Sequence, residues 1–166
     1  KDGEILVKGE NVMLGYWKKE EETKKVLKNG WLYTGDIGVI EDNYLKITDR
    51  KKDIIITPGG DNISPVKIEN DLVKLDFVEQ VLVYGDNKPY LVALFVLVED
   101  KKEIQKEEIE EKLKKINKNL SNIEKIKKYL IVNEKFSIEN GMMTPTLKLK
   151  RYKIIQKYKK DFEKLY

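Results

Sequence analysis

The sequence contains neither cysteine nor histidine. The first absence excludes a disulfide framework and thiolate metal sites. The second excludes Ser-His-Asp and Cys-His catalysis and any imidazole general base. Chemistry on this chain must therefore use Lys, Arg, Asp, Glu, Tyr or backbone groups. Long apolar runs are missing too: the longest, LVALFVLV from Leu91 to Val98, falls far short of the roughly 20 residues of a membrane helix and reads as a buried strand. Nor is there an excess of one charge. The 33 Lys+Arg nearly cancel the 29 Asp+Glu, leaving +4, a weak case for nucleic acid or an anionic membrane, whose binders gather positive charge on one face. Acids and bases alternate closely, as in KKEIQKEEIEEKLKK (101–115), the look of a solvated helix.

What is present suffices for a core. With 166 residues, 40% of them apolar, the chain is about one domain long. It opens KDGEILVKG, without an initiator methionine or the charged-then-apolar pattern of a signal peptide, and a strand begins almost at once. The expectation is a piece of something longer, its N-terminal part missing. A charged helix at 18–27 and a hairpin, WLYTGDIGVI with YLKITD, follow. The polar run DRKKD (49–53) marks a domain boundary, giving a β-rich segment 1–49 and a second domain 50–166. There, DIIIT reads as a strand, Ser64-Pro65 as a helix start, FVEQVLVYG and YLVALFVLV as paired strands, and 103–118 as a helix. A second helix is expected after Ser121, then a strand YLIVNE, a loop, and one last helix at about 150–165. The fold class is α+β, a mixed sheet flanked by helices.

Three clusters could carry chemistry. In GWLYTGDIG (30–38), Asp36 in a tight turn can present two oxygens to neighbouring hydroxyls such as those of a ribose; a turn aspartate bonding its own backbone is the plainer reading. In ITDRKKDIIITPGG (47–60), Arg50 could reach the same nucleotide, with Asp49 and residues 51–53 an exposed link. A charged linker has the same composition. Gly59-Gly60 either lets backbone approach a ligand or makes a plain turn. In GMMTPTLKLKRYKI (141–154), Lys148 sits in an apolar frame before the last helix, where most lysines are simply on the surface.

The order of these pieces is more informative than any one. From GEILVKGENVMLGYW (3–17), through GWLYTGDIG and YLKITDRKKDIIITPGGDNISPVKIEN (44–70), to MTPTLKLKR (143–151), the chain resembles the C-terminal third of the acyl-adenylate-forming ligases. Within them it looks most like the long-chain fatty acyl-CoA synthetases. The resemblance implies a small C-terminal domain of that fold, preceded by a β-rich remnant of the large N-terminal domain. It implies that the complete enzyme activates a fatty acid with ATP and Mg²⁺ to acyl-AMP and passes the acyl group to coenzyme A.

By resemblance, Asp36 takes the ribose hydroxyls of ATP and AMP and Arg50 the same nucleotide, Asp49 is the hinge of the rotating small domain, and Lys148 is the lysine delivered to the carboxylate and α-phosphate. Gly59 and Gly60 lie beside the coenzyme A arm. The Mg²⁺ ligands, phosphate loop and acyl pocket would lie in the missing part, so the fragment alone is expected to be inactive. The implied partners are fatty acid, ATP, coenzyme A and that N-terminal domain, with no nucleic acid; the expected location is the cytoplasm, with peripheral membrane association an alternative for the full-length enzyme. Two departures stand out: Leu147 replaces the glycine many relatives have before the lysine, and Asp61 stands where the long-chain branch commonly has lysine. Alternatives are an aryl-CoA ligase, a peptide-synthetase adenylation domain, or a small basic binding module.

Overall fold

The computed structural model describes residues 3–166 and divides into two compact units, Lys1–Asp53 and Ile54–Tyr166. The first is a four-stranded antiparallel sheet. Its centre is β3 (Trp31–Glu41), which pairs with β1 (Glu4–Val7), with the short β2 (Leu27–Lys28) and with β4 (Tyr44–Arg50). The expected charged helix is α1 (Glu20–Val26). The hairpin turn uses Asp42 and Asn43, both at positive φ, the conformation a two-residue turn demands and Asx residues tolerate. Val39, Ile40, Tyr44, Leu45 and Ile47 are exposed, so this sheet buries little apolar surface within its own unit.

The second unit is a three-layer α/β/α arrangement. A short ladder joins β5 (Ile55–Ile56) to β6 (Asn62–Ile63), and the central sheet has the order β7 (Val78–Tyr84), β8 (Leu91–Leu97), β9 (Ile126–Val132). The β7–β8 pair is antiparallel and β8–β9 parallel, the second needing a crossover, which α3 (Lys106–Asn117) supplies. Every residue of β8 is buried. Leu91, Ala93, Phe95 and Leu97 enter one core with Ile68 and Leu72 of α2 (Pro65–Leu72) and Ile109 and Leu113 of α3. Val92, Leu94 and Val96 enter the opposite core with Ile154, Tyr158 and Phe162. Covering on both faces explains the uninterrupted apolar run, and each fully buried Leu, Ile or Phe contributes about 1.5–3 kcal/mol.

Several expectations change. The helix after Ser121 is a turn. Ser121 and Glu124 make only one bond of a capping box, the Ser121 N–H donating to Glu124 Oε2 at 3.1 Å, while the Ser121 hydroxyl donates to the same oxygen at 2.7 Å instead of accepting a helix N–H. No helix grows from it, because the Asn117 side chain clamps the N–H and C=O of Ile126, each at 2.9 Å, as β9 starts. The last helix is two, α4 (Arg151–Lys157) and α5 (Lys159–Glu163), parted at Tyr158. DIIIT contributes only Ile55 and Ile56 to a ladder. The Ser64 cap is as expected, its side chain accepting from the Lys67 N–H at 3.4 Å. The α+β class holds.

Candidate functional site

Asp36 is not in a tight turn. It lies inside β3, directly opposite Arg50 at the end of β4. Arg50 Nε donates to Asp36 Oδ1 at 2.8 Å. The bond and charge of Asp36 raise the Arg50 pKa, and a guanidinium is charged at any working pH in either case. With side chains 56% and 27% exposed, the pair contributes only about 0.2–1 kcal/mol; its interest is the exposed, oriented pairing of an acceptor and a fork of donors. The Asp36 N–H is held by Thr34 Oγ1 at 3.1 Å and the Gly35 N–H by Glu4 Oε1 at 3.1 Å, which fixes the strand around the carboxylate.

Asp49 is not exposed link either. It is 6% exposed, within β4, and its Oδ1 accepts the Arg50 N–H at 2.6 Å. The ladder slips just before it: Ile37 faces Asp49 but Gly38 faces Ile47, so Thr48 is an extra residue, a bulge that turns the strand end. The polar turn proper is Lys51 to Asp53.

In the second unit, Thr57 and Asp61 close the glycine turn: the Thr57 N–H donates to Asp61 O at 3.0 Å and Thr57 Oγ1 donates to Asp61 Oδ2 at 3.1 Å. Gly60 has φ +87°, which a side chain resists, whereas Gly59 does not need positive φ. A cleft of about 420 Å³ beside the turn is lined by Pro58, Gly59, Asp61, Lys88, Tyr90 and Lys127 among others.

Lys148 is exposed, on a laced turn. The Thr144 N–H donates to Lys148 O at 2.8 Å, the Leu147 N–H to Thr144 O at 2.9 Å, and the Lys148 N–H to Thr144 Oγ1 at 3.0 Å. Met143 bridges Leu149, and the Lys150 N–H reaches Met142 O at 2.8 Å. Leu147 stands at φ +59°, the left-handed region where glycine is unstrained, so the departure from the family pattern falls on the one position of this turn that glycine suits. Sequence reasoning passed over a neighbour. Arg151 Nη1 meets Glu69 Oε1 of α2 at 2.6 Å, both side chains 12% exposed. In the sequence Arg151 is one of four basic residues between 148 and 153, and no local feature sets it apart from Lys148, Lys150 and Lys153.

The structure therefore brings Asp36, Asp49 and Arg50 together in the first unit, while Gly59–Gly60 and Lys148 belong to separate loops of the second. A larger cleft, about 700 Å³, between α3 and β9 contains none of them. Among the described residues no acidic cluster fit for a metal ion occurs, and no helix is long and apolar enough to cross a membrane.

Comparison with known proteins places this arrangement. Residues 52–166 match the family described as the AMP-binding enzyme C-terminal domain. The chain belongs to that family. It is 35% identical to the long-chain-fatty-acid–CoA ligase FadD15 of Mycobacterium tuberculosis, over 99% of this chain and 31% of that protein. It is 39% identical to long-chain-fatty-acid–CoA ligase 5 of Mus musculus, over 99% of this chain and 28% of that protein. The chain thus spans less than a third of these relatives. Among solved structures, the adenylation domain of a carboxylic acid reductase from Segniliparus rugosus, in complex with AMP and a co-purified carboxylic acid, superposes with a TM-score of 0.90 at 27% identity, over 99% of this chain and 28% of that one. The small-domain fold expected from the motifs is the fold found.

Proposed function

We propose that this chain is the C-terminal part of an acyl-CoA ligase that activates a long-chain fatty acid with ATP and transfers it from acyl-AMP to coenzyme A. The observation that carries this reading is the alignment of 99% of the chain with long-chain ligases at 35–39% identity. The Asp36–Arg50 pair suits a nucleotide. Asp36 offers acceptor capacity to vicinal hydroxyls while Arg50 offers donors to the same molecule. Lys148, exposed on a hydrogen-bonded turn, suits the joining of two anions, a carboxylate and an α-phosphate, because a compact positive charge offsets their repulsion and the charge developing in the transition state. The Gly59–Gly60 turn, with Lys88 and Lys127 in its cleft, suits the anionic end of coenzyme A. Asp49 is the proposed pivot and residues 1–49 the proposed end of the large domain. Mg²⁺ would be held by residues outside this chain.

A pyrophosphate-exchange panel on the complete ligase, with fatty acids of increasing length against aryl and amino acids, tests the reading. Exchange is expected to favour long acyl chains. Exchange confined to aryl or amino acids would replace the substrate class, and no exchange with any acid would remove the reading. The chain by itself is expected to give none.

A further inference from the structure

The Glu69–Arg151 pair does more than join two elements. β7 is an edge strand of the central sheet, so backbone groups on its outer side have no ladder partner. Val83 is such a residue, and the pair takes both its groups: the Val83 N–H donates to Glu69 Oε1 at 2.6 Å, and Arg151 Nη2 donates to Val83 O at 2.6 Å. With Arg151 Nη1 on Glu69 Oε1 at 2.6 Å, an acceptor from α2 and a donor fork from α4 close a ring of bonds on one backbone residue.

Three positions before Arg151 is Lys148. The intervening residues are tied down, Leu149 by its bridge to Met143 and Lys150 by its N–H to Met142 O at 2.8 Å, while Met142 itself is 3% exposed in the core. The lysine turn is therefore a short hairpin whose outgoing strand is pinned to the sheet edge at Arg151. Both partners are 12% exposed, unlike Lys67 and Glu124 at 63% and 17%. A buried ion pair offers little net stability over well-packed apolar residues, but a planar fork on fixed partners does specify orientation. We propose that Glu69 and Arg151 are positioning residues for Lys148, fixing the reach and direction of its turn. This rests on the reading of Lys148 as the adenylation lysine.

The test uses the complete ligase and both half-reactions. Arg151→Met is expected to lower pyrophosphate exchange about 10²-fold, the cost of a misplacement of about 1 Å, while acyl transfer from supplied acyl-adenylate to coenzyme A largely persists. Arg151→Lys keeps the charge but loses the fork and should recover only part of the exchange. In a Lys148→Ala background, Arg151→Met should lower exchange no further, because residues that act through one another are not additive. Glu69→Gln covers the case in which Arg151→Met does not fold: it keeps an acceptor for Val83 and removes the charge, and selective loss of exchange is expected again. Equal loss in both half-reactions, full additivity with Lys148→Ala, or unchanged exchange in Glu69→Gln would each overturn the proposal. Unchanged exchange in Lys148→Ala alone would remove the underlying reading of the lysine, and the positioning role with it.

Discussion

Leu147 holds a left-handed backbone, φ +59°, and the next N–H, that of Lys148, donates to Thr144 Oγ1 at 3.0 Å. The strained residue and the proposed reactive one are adjacent, on a turn of five residues. A left-handed non-glycine residue costs about 1–2 kcal/mol, and glycine in its place would lose about 0.5–1 kcal/mol of that gain through backbone entropy. Leu147 is 67% exposed, so little packing is lost with its side chain. Leu147→Gly is therefore expected to stabilise the second unit slightly, by about 0.5–1 kcal/mol, and Leu147→Val to destabilise it. Calorimetry on the three proteins decides; a lower melting temperature for the glycine variant would refute the strain argument.

The same turn carries the lysine. Loss of one preorganised charge at a transition state costs about 10²- to 10³-fold in rate, so Lys148→Ala in the complete ligase should slow acyl-adenylate formation by that factor. Conversion of supplied acyl-adenylate with coenzyme A should be much less affected, since repulsion between carboxylate and phosphate no longer has to be overcome. Separate rapid-quench measurements of the two steps check this. Equal loss in both would point to folding.

Much of this was legible in the sequence, and the exceptions have a common cause. The unbroken run of β8 announced burial on both faces, and Ser64-Pro65 announced α2, because each signal is complete within a few residues. The stretch after Ser121 read as a helix and misled, because the competitor, the Asn117 clamp on Ile126, acts through the start of a strand pairing. Asp49 looked exposed among charged neighbours, and only the bulge at Thr48 and the ladder to β3 bury it. Asp36 looked like a turn residue between glycines, yet it lies within β3 opposite Arg50 of β4, where the pairing of β3 with β1 is irregular. Glu69 and Arg151 lie 82 residues apart; no spacing rule joins them.

Glu124 supplies a pH prediction. Its pKa is lowered, chiefly by the Ser121 hydroxyl and also by Lys67 and the Ser121 N–H, against the opposing effect of burial. A carboxylate depressed in the folded state stabilises above its unfolded value, about 4.3, and that stabilisation is lost as pH falls through the folded value. Glu124→Gln should therefore melt lower than the native protein at neutral pH, with the difference shrinking below about pH 4.3. Calorimetry across that interval checks it, and a difference constant with pH would exclude the ionised carboxylate as its source.

Asp49 is the last and most exposed to test. If the small domain turns about this residue, the backbone there must change its dihedrals, and the bulge at Thr48 makes the ladder least regular immediately before it. A proline locks φ near −65° and removes the N–H, whereas an antiparallel strand holds φ near −140°. Asp49→Pro should accordingly trap one orientation in the complete ligase and split the half-reactions, with adenylation expected to persist and thioester formation to fail. Burial of Asp49 adds a stability loss that a simple linker would not show, so the split must be read at a temperature where the variant is folded. Lys51→Pro is a poor control, because the Lys51 N–H donates to Gly35 O at 2.8 Å. Lys52→Pro is better, since it lies in the polar turn and should leave the two rates in their normal ratio. If Asp49→Pro runs both steps at that same ratio while Lys52→Pro does not, the pivot lies in the turn, nearer the division of the two units between Asp53 and Ile54.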